Sequence, residues 1–334
     1  MDTMKRIYNL LFALVALVAF GSCNDEWTEE LYEHYVSFKA PINSNGVSRI
    51  NIPYKAGQVS TYQLPVLVSG STANQQKLMV KIGIDKDTLD VLNEARFSSR
   101  DDLYYKELDA KHYSFPETVE IQPGENSTLL NIDFNLTGLD LVEKWVLPLT
   151  IEESPTGEYT PNYRKHYRKA LLRVMPFNKY SGTYSGTALM NYMKNAGDGG
   201  NDPLVKSEIV SYAVDENTIF FYAGTIDETR KDRANYKIKA FFDPESNKVN
   251  LTCDNDEVNF RTNKQATFFI KEEMDEKQPY LLKRTIMIRD IDYDYTDYTM
   301  APSASIEYNV KGEMSILRKI NTQIPDEDQA IEWD

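Results

Sequence analysis

From residue 35 onward the dominant periodicity of this chain is two, with apolar and polar residues alternating in short runs broken by Gly, Asn, Pro and Ser. Such a period suits a strand with one face on a core, and many short strands between turn signals specify a sandwich or barrel. In the first half the runs at 35–40, 62–68, 78–84, 128–136, 145–151 and 170–175 carry the pattern. One interruption is helical in character. Asp87 and Thr88 cap a turn bearing Leu89, Leu92 and Phe97, and the charged stretch 96–111 decorates an excursion between strands. Pro65 and Pro148 fall inside strand-like runs, which implies edge strands or bulges there.

A break follows at Met175, Pro176, Phe177 and Asn178. Beyond it Tyr180, Gly182, Tyr184, Gly186, Ala188, Met190 and Tyr192 share one face, with Ser181, Thr183, Ser185, Thr187 and Asn191 on the other. That is the pattern of one long antiparallel strand with a wet side, whose glycines permit the bends that barrel closure needs. Similar runs at 236–242 and 305–316, with turns at 214–217 and 243–247, give a meander of about eight strands. The expected fold is therefore all-β, with a sandwich over 35–175 and, over 176–320, an antiparallel β-barrel (lipocalin-like) or a second sandwich. The acidic tail 321–334 is expected to add little.

Composition removes several functions. The chain has 37 basic against 51 acidic residues and a net charge of −14, the wrong sign for wrapping phosphate backbones, so nucleic acid is not expected as a partner. Three histidines (His34, His112, His166) and two cysteines (Cys23, Cys253) cannot build a Cys/His zinc site or a disulfide framework. Cys253 alternates with Val249 and Leu251 and reads as packing. There is no nucleophile elbow, phosphate loop or His-Glu-x-x-His pattern, and Gly197, Gly199 and Gly200 mark a flexible loop. No cofactor or metal is expected.

The N-terminus sets an address. After Lys5 and Arg6 the stretch 7–20 is apolar except for Asn9, too short to span a bilayer, and ends in Gly21, Ser22 and Cys23. This resembles a bacterial lipoprotein signal peptide over 1–22, with Cys23 lipidated and 23–34 a tether. Asn24, Asp25 and Glu26 resemble the acidic export signal of Bacteroidetes lipoproteins, which implies lipid anchoring at the outer membrane with the protein exposed at the cell surface.

With that signal, a first domain running from Val36, Ser37 and Phe38 through the 145–151 strand, and a second opening on the Tyr180 to Thr187 alternation, the chain resembles two-domain Bacteroidetes lipoproteins from polysaccharide-utilisation loci. The resemblance implies an immunoglobulin-like first domain acting as spacer and a second β domain that meets the ligand. It also implies a non-catalytic role in binding a poly- or oligosaccharide beside a SusC/SusD-like outer-membrane complex. The alternative is a structural or assembly lipoprotein of that complex without glycan contact; a glycosidase is the lesser possibility.

The candidate site lies at 290–298. Ile286 and Ile288 are apolar at even positions, whereas Ile291, Tyr293 and Tyr295 are apolar at odd ones, so a bulge is expected near Arg289 and Asp290. Tyr293, Tyr295 and Tyr298, with Asp292 and Asp297, offer flat faces for sugar C–H surfaces and acceptors for hydroxyls, and are the expected glycan-binding residues. The competing reading makes these rings core. An EF-hand fails because Tyr295 and Ala301 stand where Gly and Glu are required, which leaves an irregular calcium site at Asp290, Asp292 and Asp294 as the lesser reading beside a solvated acidic strand face. A chitinase-like acidic motif fails because Thr296 stands where its Glu acid belongs.

Overall fold

The computed structural model describes residues 33–41, 43, 45–194, 202–301 and 304–333. The expected signal, Cys23, the tether as far as residue 32 and the glycine loop at 197–200 lie outside the described residues. The fold is all-β, 51% strand and 11% helix.

The first half contains β1 (Tyr35–Phe38), β2 (Ser48–Pro53), β3 (Ser60–Val68), β4 (Leu78–Ile84), β5 (Tyr105–Glu107), β6 (Tyr113–Ser114), β7 (Thr118–Ile121), β8 (Ser127–Phe134), β9 (Lys144–Ile151), β10 (Thr160–Pro161) and β11 (Lys169–Phe177). They form two facing sheets, ordered β10-β1-β3-β8-β6 and β2-β11-β9-β4-β7, the second with β5 paired to β9. Alternate residues of both sheets, among them Val36, Phe38, Leu64, Val80, Ile132 and Leu149, fill one sandwich core. The helical excursion is α1 (Lys86–Phe97), capped two residues before the expected Asp87, by Asp85, whose carboxylate accepts from Thr88 N at 3.2 Å. Leu89 seals its inner face against Val47, Tyr105, Val146 and Leu171.

Neither proline marks an edge strand. β3 and β9 are both paired on two sides, but the pairing of β1 ends at Phe38 opposite Val66, and that of β4 at Ile84 opposite Leu149. Pro65 and Pro148 each lie one step past the end of a neighbour, where a missing N–H costs no ladder bond, and their carbonyls accept from Lys39 N and Asp85 N at 2.9 Å. β11 runs on through Met175, Pro176 and Phe177 in parallel register with β2, so only 178–181 separate it from the next strand.

The second half contains β12 (Gly182–Ser185), β13 (Leu189–Met193), β14 (Leu204–Val205), β15 (Glu208–Ala213), β16 (Thr218–Tyr222), β17 (Lys237–Asp243), β18 (Lys248–Thr252), β19 (Arg261–Thr262), β20 (Ala266–Met274), β21 (Leu281–Ala301), β22 (Ala304–Asn321) and β23 (Ile331–Glu332). The order β22-β12-β15-β16-β17-β18-β20-β21 returns to β22, closing an eight-stranded antiparallel barrel and removing its open edges. An eight-stranded barrel is just wide enough for side chains to fill. Here Tyr180, Tyr184, Phe221, Phe242, Tyr293 and Tyr295 do so, all fully buried.

Two expectations are corrected here. The alternation from Tyr180 to Tyr192 does not run as one strand: a turn, with Leu189 N donating to Gly186 O at 2.9 Å, separates β12 from β13. Leu189 and Asn191 rather than Met190 and Tyr192 then face inward. The C-terminal tail also packs. β23 pairs with β22, and Ile331 joins Phe177 and Ile320 in a small core where Trp333 meets Phe177 edge-on at 4.8 Å.

Candidate ligand-binding site

The parity switch in β21 is a bulge, as its pattern indicated. The register with β22 slips between Ile288 and Ile291, and Asp290 takes φ 59, in the left-handed region. The slip keeps Ile286, Ile288, Ile291, Tyr293, Tyr295 and Asp297 on one side of the strand, and that side is the barrel interior.

The five nominated residues are therefore divided. Tyr293 and Tyr295 present no ring face to solvent, which corrects the expectation of a platform there. Tyr295 stacks on Tyr308 at 5.1 Å and Tyr293 packs against Phe260 at 5.4 Å. The connection 223–236 between β16 and β17 lies against them, with Gly224 N donating to the Tyr293 hydroxyl at 3.1 Å. Gly224 holds φ +51, and a Cβ there would run into the Tyr295 hydroxyl and Asn191 Nδ2. Burial pushes both phenols well above their ordinary range.

Asp297 also faces inward and is 2% exposed, in a bidentate pair with Arg230 at 2.5 and 2.7 Å and accepting from the Tyr236 hydroxyl at 2.9 Å. Burial alone would raise this carboxyl, but the bonds from Arg230 and Tyr236 outweigh it and hold it below the usual range. Asp292 faces outward, where Oδ1 accepts from Asn263 and Asn309 at 3.0 and 2.9 Å. Its neighbour Asp294 accepts from Lys194, Arg261 and Asn309 at 2.8, 2.6 and 3.0 Å; these bonds override the burial that would raise it and set it at about 2. Of the three tyrosines only Tyr298 is half-exposed, tilted on Tyr236 at 5.7 Å with its hydroxyl accepting from Asn255 at 3.0 Å.

A solvent-facing aromatic surface exists elsewhere, at the edge of the first sandwich. β10 pairs in parallel with β1 for only two residues, Asn162 N extends the pairing to Val36 O at 2.9 Å, and the chain then leaves the sheet. Tyr163 consequently has no sheet beneath it and is 71% exposed, its ring edge-on to Tyr35 at 5.4 Å. Arg164 lies over that ring at 5.6 Å and donates to its hydroxyl at 3.2 Å. With Tyr167, Asn162, Ser69 and Glu33 they line an open groove of about 620 Å³. A ring face bordered by amide, hydroxyl and guanidinium groups suits a pyranose, which has an apolar C–H face and a rim of hydroxyls. The sequence signal was present: within 162–169 every residue except the two tyrosines is Asn, Arg, Lys or His, so no core alternation explains Tyr163.

The family described as Domain of unknown function (DUF4973) matches residues 27–155, and a second, described only as a "-like, C-terminal" domain, matches 168–315. A Bacteroides ovatus structure, a multidomain protein including DUF1735, is 43% identical at TM-score 0.81, with 90% of this chain and 100% of that chain covered. The chain belongs to this family of Bacteroides proteins. A second member, an auxiliary nutrient binding protein from Bacteroides thetaiotaomicron, is 42% identical at TM-score 0.79, again covering 90% and 100%. A third, a protein of unknown function from Bacteroides ovatus, is 38% identical at TM-score 0.76, covering 88% and 95%. No curated protein matches.

Proposed function

We propose that this family member is a non-catalytic, lipid-anchored surface protein that binds a poly- or oligosaccharide for uptake by a SusC/SusD-like complex. The observation that carries the reading is the exposed Tyr163 ring in its open groove, in a chain 42% identical to a protein named as an auxiliary nutrient binding protein. A sugar stacks on Tyr163 against Tyr35 and Tyr167, with Asn162 and Arg164 meeting its hydroxyls.

A non-catalytic role is supported by the acidic groups of β21. A glycosidase needs one carboxylic acid with a raised pKa to protonate the leaving group, whereas Asp294 and Asp297 are both held low by cationic partners. Anchoring rests on the segment ending at Cys23; no helix among the described residues is long and apolar enough to cross a membrane. Burial of Tyr293 and Tyr295 favours the second reading, an assembly lipoprotein without glycan contact, because those rings serve the core. Affinity electrophoresis against a polysaccharide panel separates the two. Retardation by at least one polysaccharide, lost with Tyr163→Ala, is expected; no retardation by any would leave the assembly role.

A further inference from the structure

Five cations gather beside the seam between sandwich and barrel without a carboxylate partner. Arg49 and Arg173 are register partners on β2 and β11, and Arg173 opposes Val146 across β9, two residues from Lys144 on the same face. Arg96, in the last turn of α1, is bonded to Asn45, at 2.9 and 3.3 Å, and Arg233 donates to the carbonyls of Asp102 and Val142 at 3.1 and 3.4 Å. Among the described residues none of the five has an ion pair, although the protein carries an excess of acid and many of its other cations are paired. One nearby carboxylate, Glu228, accepts the Tyr212 hydroxyl and offsets Arg49 and Lys144 through space without pairing with either, and Arg173 Nε is buried without a partner.

The strip opens through Arg49 into a cleft of about 510 Å³ between the two halves, lined also by Asn51, Thr183, Arg318, Glu332 and Trp333. Arg318 is 5% exposed; its Nη2 donates to the carbonyls of Asn178 and Ser181, while Nε has no partner. Trp333 is 39% exposed and lies 5.8 Å from the Arg318 guanidinium. Guanidinium groups that make no ion pair and keep free donors in a cleft attract an anion, and a planar carboxylate or a sulfate matches their fork of donors.

We infer that this cleft is a subsite for an anionic sugar, a uronate or sulfated residue whose anion pairs with Arg49 while its ring packs on Trp333. The inference rests on the carbohydrate-binding reading and adds a ligand class to it. The Arg173, Lys144 and Arg96 strip draws a polyanion toward a protein whose net charge would otherwise repel it.

The test is calorimetry of the full chain in mild detergent with hexagalacturonate, a chondroitin sulfate hexasaccharide and neutral maltohexaose, at 50 and 300 mM NaCl. One of the two acidic probes is expected to bind, more weakly at the higher salt, and which of them binds distinguishes carboxylate from sulfate. Arg49→Gln should weaken it about tenfold, near 1.4 kcal/mol, with an unchanged melting temperature, and Arg49→Lys should recover part of the loss. Failure of both acidic probes to bind, or equal binding by Arg49→Gln, overturns the inference. Neutral glycan binding lost with Tyr163→Ala but without any acidic preference would overturn it too, while leaving the proposed function standing.

Discussion

Replacing Tyr295 by Ala separates a core ring from a ligand platform. The side chain is 2% exposed, stacks on Tyr308 at 17° and sits 6.3 Å from Tyr293. Hydrogen-bonded barrel strands form its walls and the 223–236 connection covers it, so little collapse into the vacated space is available. Truncating a buried aromatic residue to Ala typically costs about 3–5 kcal/mol, and an aromatic pair is lost with it. For a protein of this size, at about 2.1 cal/mol/K of unfolding entropy per residue, that corresponds to a fall in melting temperature of roughly 4–8 °C. Urea titration should show a lower midpoint with an unchanged slope. Tyr295→Phe should stay within about 1 kcal/mol of the parent, because the hydroxyl receives only a long bond from Asn191 at 3.4 Å. A Tyr295→Ala protein less than about 1 kcal/mol below wild type would refute the packing described and return the ring to the surface.

Asp297→Ala removes one of the two carboxylates on Arg230, which keeps Asp232 at 2.7 and 3.1 Å, and takes an acceptor from the Tyr236 hydroxyl; it should cost about 1–3 kcal/mol by urea titration. The Asp294 carboxyl is depressed from 3.8 to about 2, so its contribution, roughly 2 kcal/mol, is complete above pH 4 and is lost as pH falls toward 2. Stability measured across that window should decline less steeply in Asp294→Asn. Cys23→Ala should release the protein from the membrane fraction; continued sedimentation in alkaline carbonate would contradict lipid anchoring.

The sequence made an antiparallel barrel or sandwich legible because strands such as β17 alternate inward apolar with outward polar residues, and it placed the bulge at Arg289 and Asp290 from parity alone; β16, buried on both faces, carries no such signal. The same parity puts Tyr293 and Tyr295 in phase with Ile291, which is core, and that phase rather than the bulge decides where the rings point. Other features depend on partners distant in sequence. Asp297 is satisfied by Arg230, 67 residues away, and the tail gains order only because Ile331 meets Phe177 and Ile320. No local pattern encodes either contact. The phase flip at 186–188 escaped for a related reason: glycine and small residues fit either strand or turn, and pairing of both β12 and β13 with β22 decides between them. Tyr163 was readable as an aromatic residue without an apolar neighbourhood, but its exposure follows from the end of β10, a two-residue strand that no periodicity reveals.

The most direct test of the carbohydrate-binding claim is calorimetric titration of wild type and Tyr163→Ala with an oligosaccharide of the best-retarded polysaccharide. Loss of a single aromatic anchor is worth about 2 kcal/mol or more, so binding should weaken roughly 30-fold while the melting temperature stays put, and Tyr163→Phe should keep most of the affinity. Wild-type affinity in Tyr163→Ala, with binding abolished instead by Tyr298→Ala or Asp292→Ala at the barrel, would contradict the assignment of the sandwich groove.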